Sequence, residues 1–152
     1  ALPGCAYVAP EGLHMAMSAD ARIQLRADEP ENGLRPSVSY LFRSVAKAYG
    51  PSAVGVLLTG MGKDGAWELR LMKEQGALTI AQDRDTSVVH GMPGEAIRLG
   101  GASDVLSPEK IRISLASLDT HYVSNHQRAM RDEQENACGI DCPILGQGPS
   151  GS

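Results

Sequence analysis

Aromatic side chains are scarce in this 152-residue chain, with one Phe, one Trp and four Tyr making up 4% of it. An interior must therefore be assembled from Val, Leu, Ile, Ala and Met. Long apolar runs are missing too. The longest, residues 53–59 (AVGVLLT), falls far short of the roughly 20 residues that span a bilayer, which excludes membrane insertion by a helix. There is no excess of positive charge: 14 Lys and Arg stand against 18 Asp and Glu, a net charge of -4. That balance argues against a nucleic-acid partner, since such partners select basic faces. Cysteine is represented only by Cys5, Cys138 and Cys142, an odd and uneven set. It makes a poor disulfide framework and suits a reducing, cytoplasmic protein. No basic segment followed by an apolar one opens the chain, and Ala1 in place of Met reads as a cut edge rather than a gene start.

What is present is ordinary for a globular domain: 42% hydrophobic and 21% charged residues, in a length that buries a real core. Two textures follow one another. Residues 1–118 alternate short apolar runs with helix-period segments, divided by Gly and Pro. Residues 119–152 hold few large apolar groups and end in Gly-Gln-Gly-Pro-Ser-Gly-Ser, the composition of a flexible tail.

Within the first region, residues 6–10 (AYVAP) predict a short buried strand stopped by proline. Alternation at 15–17 and 23–25 predicts a hairpin, followed by a polar loop over 28–35. Val38, Leu41, Phe42, Val45 and Tyr49 keep helical rhythm, with Pro36 at the first turn and Gly50-Pro51 as the stop. The run 53–59 predicts a strand covered on both faces. A helix from about Gly65 to Gln75 follows, turning Ala66, Leu69 and Met72 inward and stopping at Gly76. A second strand is expected at 78–82, a short extended piece at 87–90, a short helix at 93–99 and an edge strand at 105–106. Ser107 and Pro108 then open a helix whose inner face carries Ile111, Leu115 and Leu118. Strand–helix alternation at this spacing predicts an α/β fold, a parallel sheet with helices on its faces.

In such sheets function gathers where strands end and helices begin. Leu58-Thr-Gly-Met-Gly-Lys-Asp-Gly65 occupies such a place. Asp64 is expected at the N-terminus of the following helix, where the dipole and free N–H groups favour an ionised carboxylate. A held carboxylate is what a catalytic histidine needs as its orienting partner, but an Asp there also serves as a plain helix cap. A third reading competes. Gly60, Gly62 and Gly65 spell the dinucleotide fingerprint G-x-G-x-x-G, with Asp83 as its ribose-binding acid. Asp64 would then set a negative charge beside a pyrophosphate, and the motif begins behind a hairpin rather than opening a domain. Pattern alone leaves these readings open.

The stretch from Tyr7 to Leu106 resembles the catalytic domain of the chemotaxis methylesterase family, CheB. The matching segments are Tyr7-Val-Ala-Pro10, His14-Met15, Arg35-Pro-Ser-Val38, Leu41-Phe-Arg-Ser-Val-Ala46 and Gly55-Val-Leu-Leu-Thr-Gly-Met-Gly-Lys-Asp-Gly65. Thr79-Ile-Ala-Gln-Asp83, Thr86-Ser-Val-Val89, Gly91-Met-Pro93 and Glu95-Ala-Ile97 continue them in order. The resemblance implies a Rossmann-like, doubly wound, mostly parallel sheet with a hairpin, incomplete relative to the family domain. It implies hydrolysis of γ-glutamyl methyl esters on the cytoplasmic helices of chemoreceptors, with glutamine deamidation as a related activity. It further implies a Ser-His-Asp triad with neither metal nor organic cofactor. By position, Asp64 is similar to the triad aspartate, Met61 looks like the methionine lining that active site, and Gly60 and Gly62 shape the loop. Gly91-Met92-Pro93 is similar to a neighbouring loop without an assigned role.

The departure matters as much. The family's serine sits in a G-x-S-x-G-G turn and its histidine follows, both upstream of the Tyr7-like strand; neither occurs here, and the regulatory receiver domain is missing. The expectation is thus residues 1–118 as the C-terminal part of a catalytic domain, without activity alone, needing an upstream part and a receiver domain as partners; the alternative is a non-catalytic remnant of the family that binds a partner or receptor without hydrolysing anything. His14 and His90 are expected to be packing residues, and His121 and His126 lie in the tail. With Cys138 and Cys142 the latter spell H-x4-H and C-x3-C in reversed zinc-finger order, which reads as incidental, so no metal site is assigned.

Overall fold

The computed structural model describes residues 1–2 and 4–118. The chain divides into two compact units, Ala1–Arg112 and Ile113–Ser152, and the elements named here lie in the first. In chain order these are β1 (His14–Met17), β2 (Ile23–Arg26), α1 (Val38–Tyr49), β3 (Val54–Leu57), α2 (Ala66–Glu74), β4 (Leu78–Gln82), α3 (Met92–Arg98) and β5 (Asp104–Leu106). β3, β4 and β5 form a parallel sheet in that order, and β1 and β2 a separate antiparallel hairpin. The α/β class and the hairpin read from the sequence are both present.

The helices form where the apolar spacing sets a stripe. In α1 that stripe is Val38, Phe42, Val45 and Tyr49: the last three pack with buried Ala46, Ala53, Met72 and Ala77, and Val38 with Leu57, Ala66, Leu69 and Ala96. Gly50 ends the helix with positive φ (47°), and Pro51 follows in a short 3-10 turn. In α2 the inward residues are Ala66, Leu69 and Met72, all essentially buried, and Gly76 (φ 87°) ends it. Leu57, Leu69 and Ala96 join α2 to α3 in a second cluster. Gly55 permits the close approach of α2 to the sheet: a Cβ there would lie 2.8 Å from Leu69 Cδ1. The hairpin docks on α1 through Met17 N–H donating to Ser44 Oγ (2.9 Å) and His14 stacked on Tyr40 at 4.3 Å.

Four expectations are corrected. Residues 6–10 form no strand; they are irregular, and Val8 is 90% exposed. A strand is stabilised by a partner's ladder and by burial, and among the described residues these have neither. β3 is shorter than residues 53–59 and is covered on one face only. Gly55 and Leu57 point inward, while Val54 and Leu58 are 41% and 49% exposed. The strand buried on both faces is the central one, β4. Pro36 precedes α1 rather than entering its first turn, because Ser37 occupies the N-cap. In the helical run over residues 108–118, Ile111 is buried, whereas Leu115 and Leu118 are exposed.

Candidate active site

The carboxyl ends of β3 and β4 are knitted together by one buried amide. Gln82 Oε1 accepts the Thr59 N–H (2.8 Å), and its Nε2 donates to the Thr86 carbonyl (2.9 Å). Residues 88–90 then run beside 59–60. Gly60 N–H donates to the Val89 carbonyl (3.0 Å), Val89 N–H to Thr59 Oγ1 (2.9 Å), and Gly60 and His90 form a parallel bridge. The loop 58–65 is therefore pinned at the sheet's carboxyl edge before it reaches Asp64.

Asp64 is 7% exposed, and its position differs from the one expected. The N-cap of α2 is Gly65, in the left-handed region at φ 79°. The Asp64 carboxylate turns away from its own helix to the first turn of α1. Oδ2 accepts the Val38 N–H (2.6 Å), and Oδ1 accepts the Ser39 N–H (3.0 Å) and the Ser37 hydroxyl (2.8 Å). It thus caps a helix distant in sequence, one with no acidic residue in its own first turn. Burial works against its charge, but the Val38 amide, the Ser37 hydroxyl and the Ser39 amide outweigh it and hold the carboxyl below the ordinary aspartate range. The positive end of the α1 dipole acts in the same direction. An ionised, rigid carboxylate results.

The glycines of the loop have separate reasons. A Cβ at Gly65 would meet Val38 Cγ1 at 2.5 Å, so α1 and the start of α2 touch only because this residue is glycine. Gly60 gives its carbonyl to the N–H groups of Gly91 (3.1 Å) and Met92 (2.9 Å). A Cβ on Gly91 would lie 2.8 Å from that carbonyl and 2.9 Å from the Gly62 nitrogen. The backbone of 60–62 is thus covered by 91–92, where a dinucleotide would require open amides. Asp83, the acid of that rival reading, is occupied locally: its Oδ1 accepts both the N–H (2.9 Å) and hydroxyl (2.5 Å) of Thr86.

Met61 stands 87% exposed beside this edge, with Leu58, Val88 and Val89 also exposed, so an apolar rim borders the loop. Depressions of about 630 Å³, between the hairpin and α1, and about 360 Å³, beside Lys63 and Trp67, are walled by neither Asp64 nor Met61. His14 is fully buried, with Nε2 3.1 Å from the Glu29 carbonyl; His90 packs on Gly94 with Nδ1 3.3 Å from Ser87 Oγ. Neither touches Asp64. The tail residues His121, His126, Cys138 and Cys142 lie outside the described residues. Sequence reasoning missed Ser37 and Ser39. A serine just before a helical stripe is an N-cap signal, but nothing local shows its hydroxyl serving a carboxylate 27 positions away.

This arrangement, a buried carboxylate fixed in the strand–helix loop at the carboxyl edge of a parallel sheet, defines an α/β protein whose candidate site lies where such sheets gather functional groups. Residues 1–115 match the family model for CheB methylesterase, and the chain belongs to that family. It is 66% identical over 116 residues to the Syntrophus aciditrophicus protein-glutamate methylesterase/protein-glutamine glutaminase 1, covering 76% of this chain and 33% of the relative. A Geobacter metallireducens protein of the same name, numbered 4, is 58% identical over 118 residues, covering 77% of this chain and 34% of the relative. The crystal structure of the Thermotoga maritima CheB methylesterase catalytic domain superposes with a TM-score of 0.69 at 35% identity, covering 74% of this chain and 61% of that one. The chain therefore spans about a third of the length of the curated relatives it matches.

Proposed function

We propose that residues 1–118 are the C-terminal part of the catalytic domain of a chemoreceptor protein-glutamate methylesterase. In this reading Asp64 is the triad carboxylate, and Gly60, Met61 and Gly62 line the active site. The observation that carries it is the Asp64 carboxylate itself: buried, triply hydrogen-bonded, ionised and lodged at the carboxyl edge of the sheet. A side chain that served only its own helix would cap α2, and this one does not.

The chemistry follows from the charge. A serine adds to the γ-glutamyl methyl ester carbonyl while its proton passes to an imidazole. Methanol leaves with that proton, and water reverses the sequence to free the glutamate side chain. Asp64 holds the imidazole in one tautomer and stabilises the imidazolium formed in each half. In this reading serine and histidine come from an upstream part of the domain, and the greater length of the relatives leaves room for one. The edge of β3, which no strand among the described residues covers, and the exposed Tyr7, Val8, Val54 and Leu58 are the surfaces on which that part would fit. Receptor cytoplasmic helices are the substrate, the exposed Met61 rim is the side from which they approach, and a receiver domain supplies regulation. The setting is cytoplasmic, consistent with the absence, among the described residues, of a helix long and apolar enough to cross a membrane.

The test joins the upstream part of the Syntrophus aciditrophicus relative to this chain and measures methanol released from methylated receptor. Turnover is expected in the joined protein and none from this chain alone. Asp64→Asn should lower kcat by about ten-thousand-fold, as loss of a triad aspartate does. An Asp64→Asn variant as fast as its parent would overturn the assignment.

A further inference from the structure

Ser37 stands at the N-cap of α1 with extended backbone (φ -121°, ψ 137°), where a serine normally bonds the amides of its own first turn. It makes no such bond. The Val38 and Ser39 amides are taken by Asp64, and the Ser37 hydroxyl, 4% exposed, donates to Asp64 Oδ1 instead. The cap has been exchanged between two distant segments. We infer that Ser37, with the amino end of α1, is the positioning element of the Asp64 carboxylate and leaves Oδ2 as the oxygen that receives the imidazole N–H. This rests on the triad reading of Asp64.

The count of acceptor sites supports the choice of oxygen. Oδ1 takes two donors, Ser37 Oγ and the Ser39 amide, and is saturated. Of these three bonds Oδ2 takes one, from the Val38 amide, and so has more acceptor capacity left than Oδ1. Ser39 closes the ring from the other side: its hydroxyl, also buried, accepts the Gly65 N–H at 2.9 Å. Asp64 is thereby held through its side chain and through the next peptide. Without the Ser37 hydroxyl the carboxylate keeps one amide on each oxygen, but Oδ1 loses the donor on its other side and the carboxylate plane can rock toward the vacated position. An imidazole bound to it would lose its fixed direction, which in such triads is the aspartate's contribution.

Two measurements decide the matter. In this chain, carbon-13 NMR of the Asp64 carboxyl is followed against pH. Ser37→Ala should move its midpoint up, toward the ordinary aspartate value, and Ser37→Thr, which keeps the hydroxyl, should restore it. In the joined protein, Ser37→Ala should lower kcat about tenfold with KM unchanged, again restored by Thr. Should the alanine variant lose its fold, Ser37→Cys keeps the volume with a weak donor and should show the same two effects. An unmoved midpoint and an unmoved kcat in a folded Ser37 variant overturn the positioning role. If Asp64→Asn meanwhile abolishes turnover, the triad reading survives that result. If Asp64→Asn leaves turnover intact, the triad reading fails, and the imidazole assignment fails with it.

Discussion

Replacing Gly65 by Ala tests the contact on which the site is built. Two penalties add. The residue sits at φ 79°, where a side chain costs about 1–2 kcal/mol in backbone strain. The new Cβ would lie 2.5 Å from Val38 Cγ1, 3.1 Å from Val38 Cβ and 3.4 Å from Leu57 Cδ1. Val38 is β-branched and stiff at χ1, so it cannot swing aside, and overpacking of this kind costs about 1–3 kcal/mol. The expected loss is about 2–5 kcal/mol, which in urea unfolding with a slope of about 2 kcal/mol/M lowers the midpoint by about 1–2.5 M. Val38 also carries the amide that Asp64 Oδ2 accepts, so displacement of its backbone should shift the Val38 amide resonance strongly. Pairing Gly65→Ala with Val38→Ala should recover the steric part and leave the backbone part, giving a coupling of about 1 kcal/mol or more in a double-mutant cycle. A Gly65→Ala variant within 0.5 kcal/mol of the parent (about the scatter of neutral surface changes) would refute this account.

Three further outcomes follow from the same geometry. Because the folded Asp64 carboxyl lies below its ordinary value of 3.8, its contribution to stability is complete well above that pH. It is lost as pH falls through 3.8 and then through the lower folded value, so Asp64→Asn should be less stable near neutral pH and show a flatter acid limb than the parent. Parallel acid limbs in urea titrations would count against it. Gln82→Leu should strand the Thr59 N–H and cost about 1–3 kcal/mol, read as lost stability together with faster hydrogen exchange at Thr59; unchanged exchange there would contradict the role given to this amide. Finally, the β3 edge, uncovered by any strand among the described residues, and the exposed Val54 and Leu58 should make this chain associate with itself in sedimentation, and Val54→Thr with Leu58→Thr should reduce that association. A parent chain that stays monomeric as concentration rises would refute the expectation.

Much of the architecture was legible in the residues themselves. The three-four rhythm of Val38, Phe42, Val45 and Tyr49, the glycine stops at Gly50 and Gly76, and the apolar runs around β3 and β4 each specify local conformation through steric and burial rules that need only near neighbours. The ordered series of matching segments was as readable, and the family followed from it. Burial of particular faces was not. Residues 6–10 have the composition of a core strand but stay exposed, and Val54 and Leu58 face outward, because a strand's environment is set by what lies beside it. The position of Asp64 shows the same limit at atomic scale. Its residue type and loop implied a charged carboxylate at a helix start, and tertiary structure decided which helix. Gly65 opens α2, α1 packs against it through Val38, and only that packing brings the Ser37 hydroxyl and the first amides of α1 within hydrogen-bonding distance of Asp64. Local sequence specifies which groups are available, whereas the partner of a buried charge depends on contacts between segments that the chain keeps far apart.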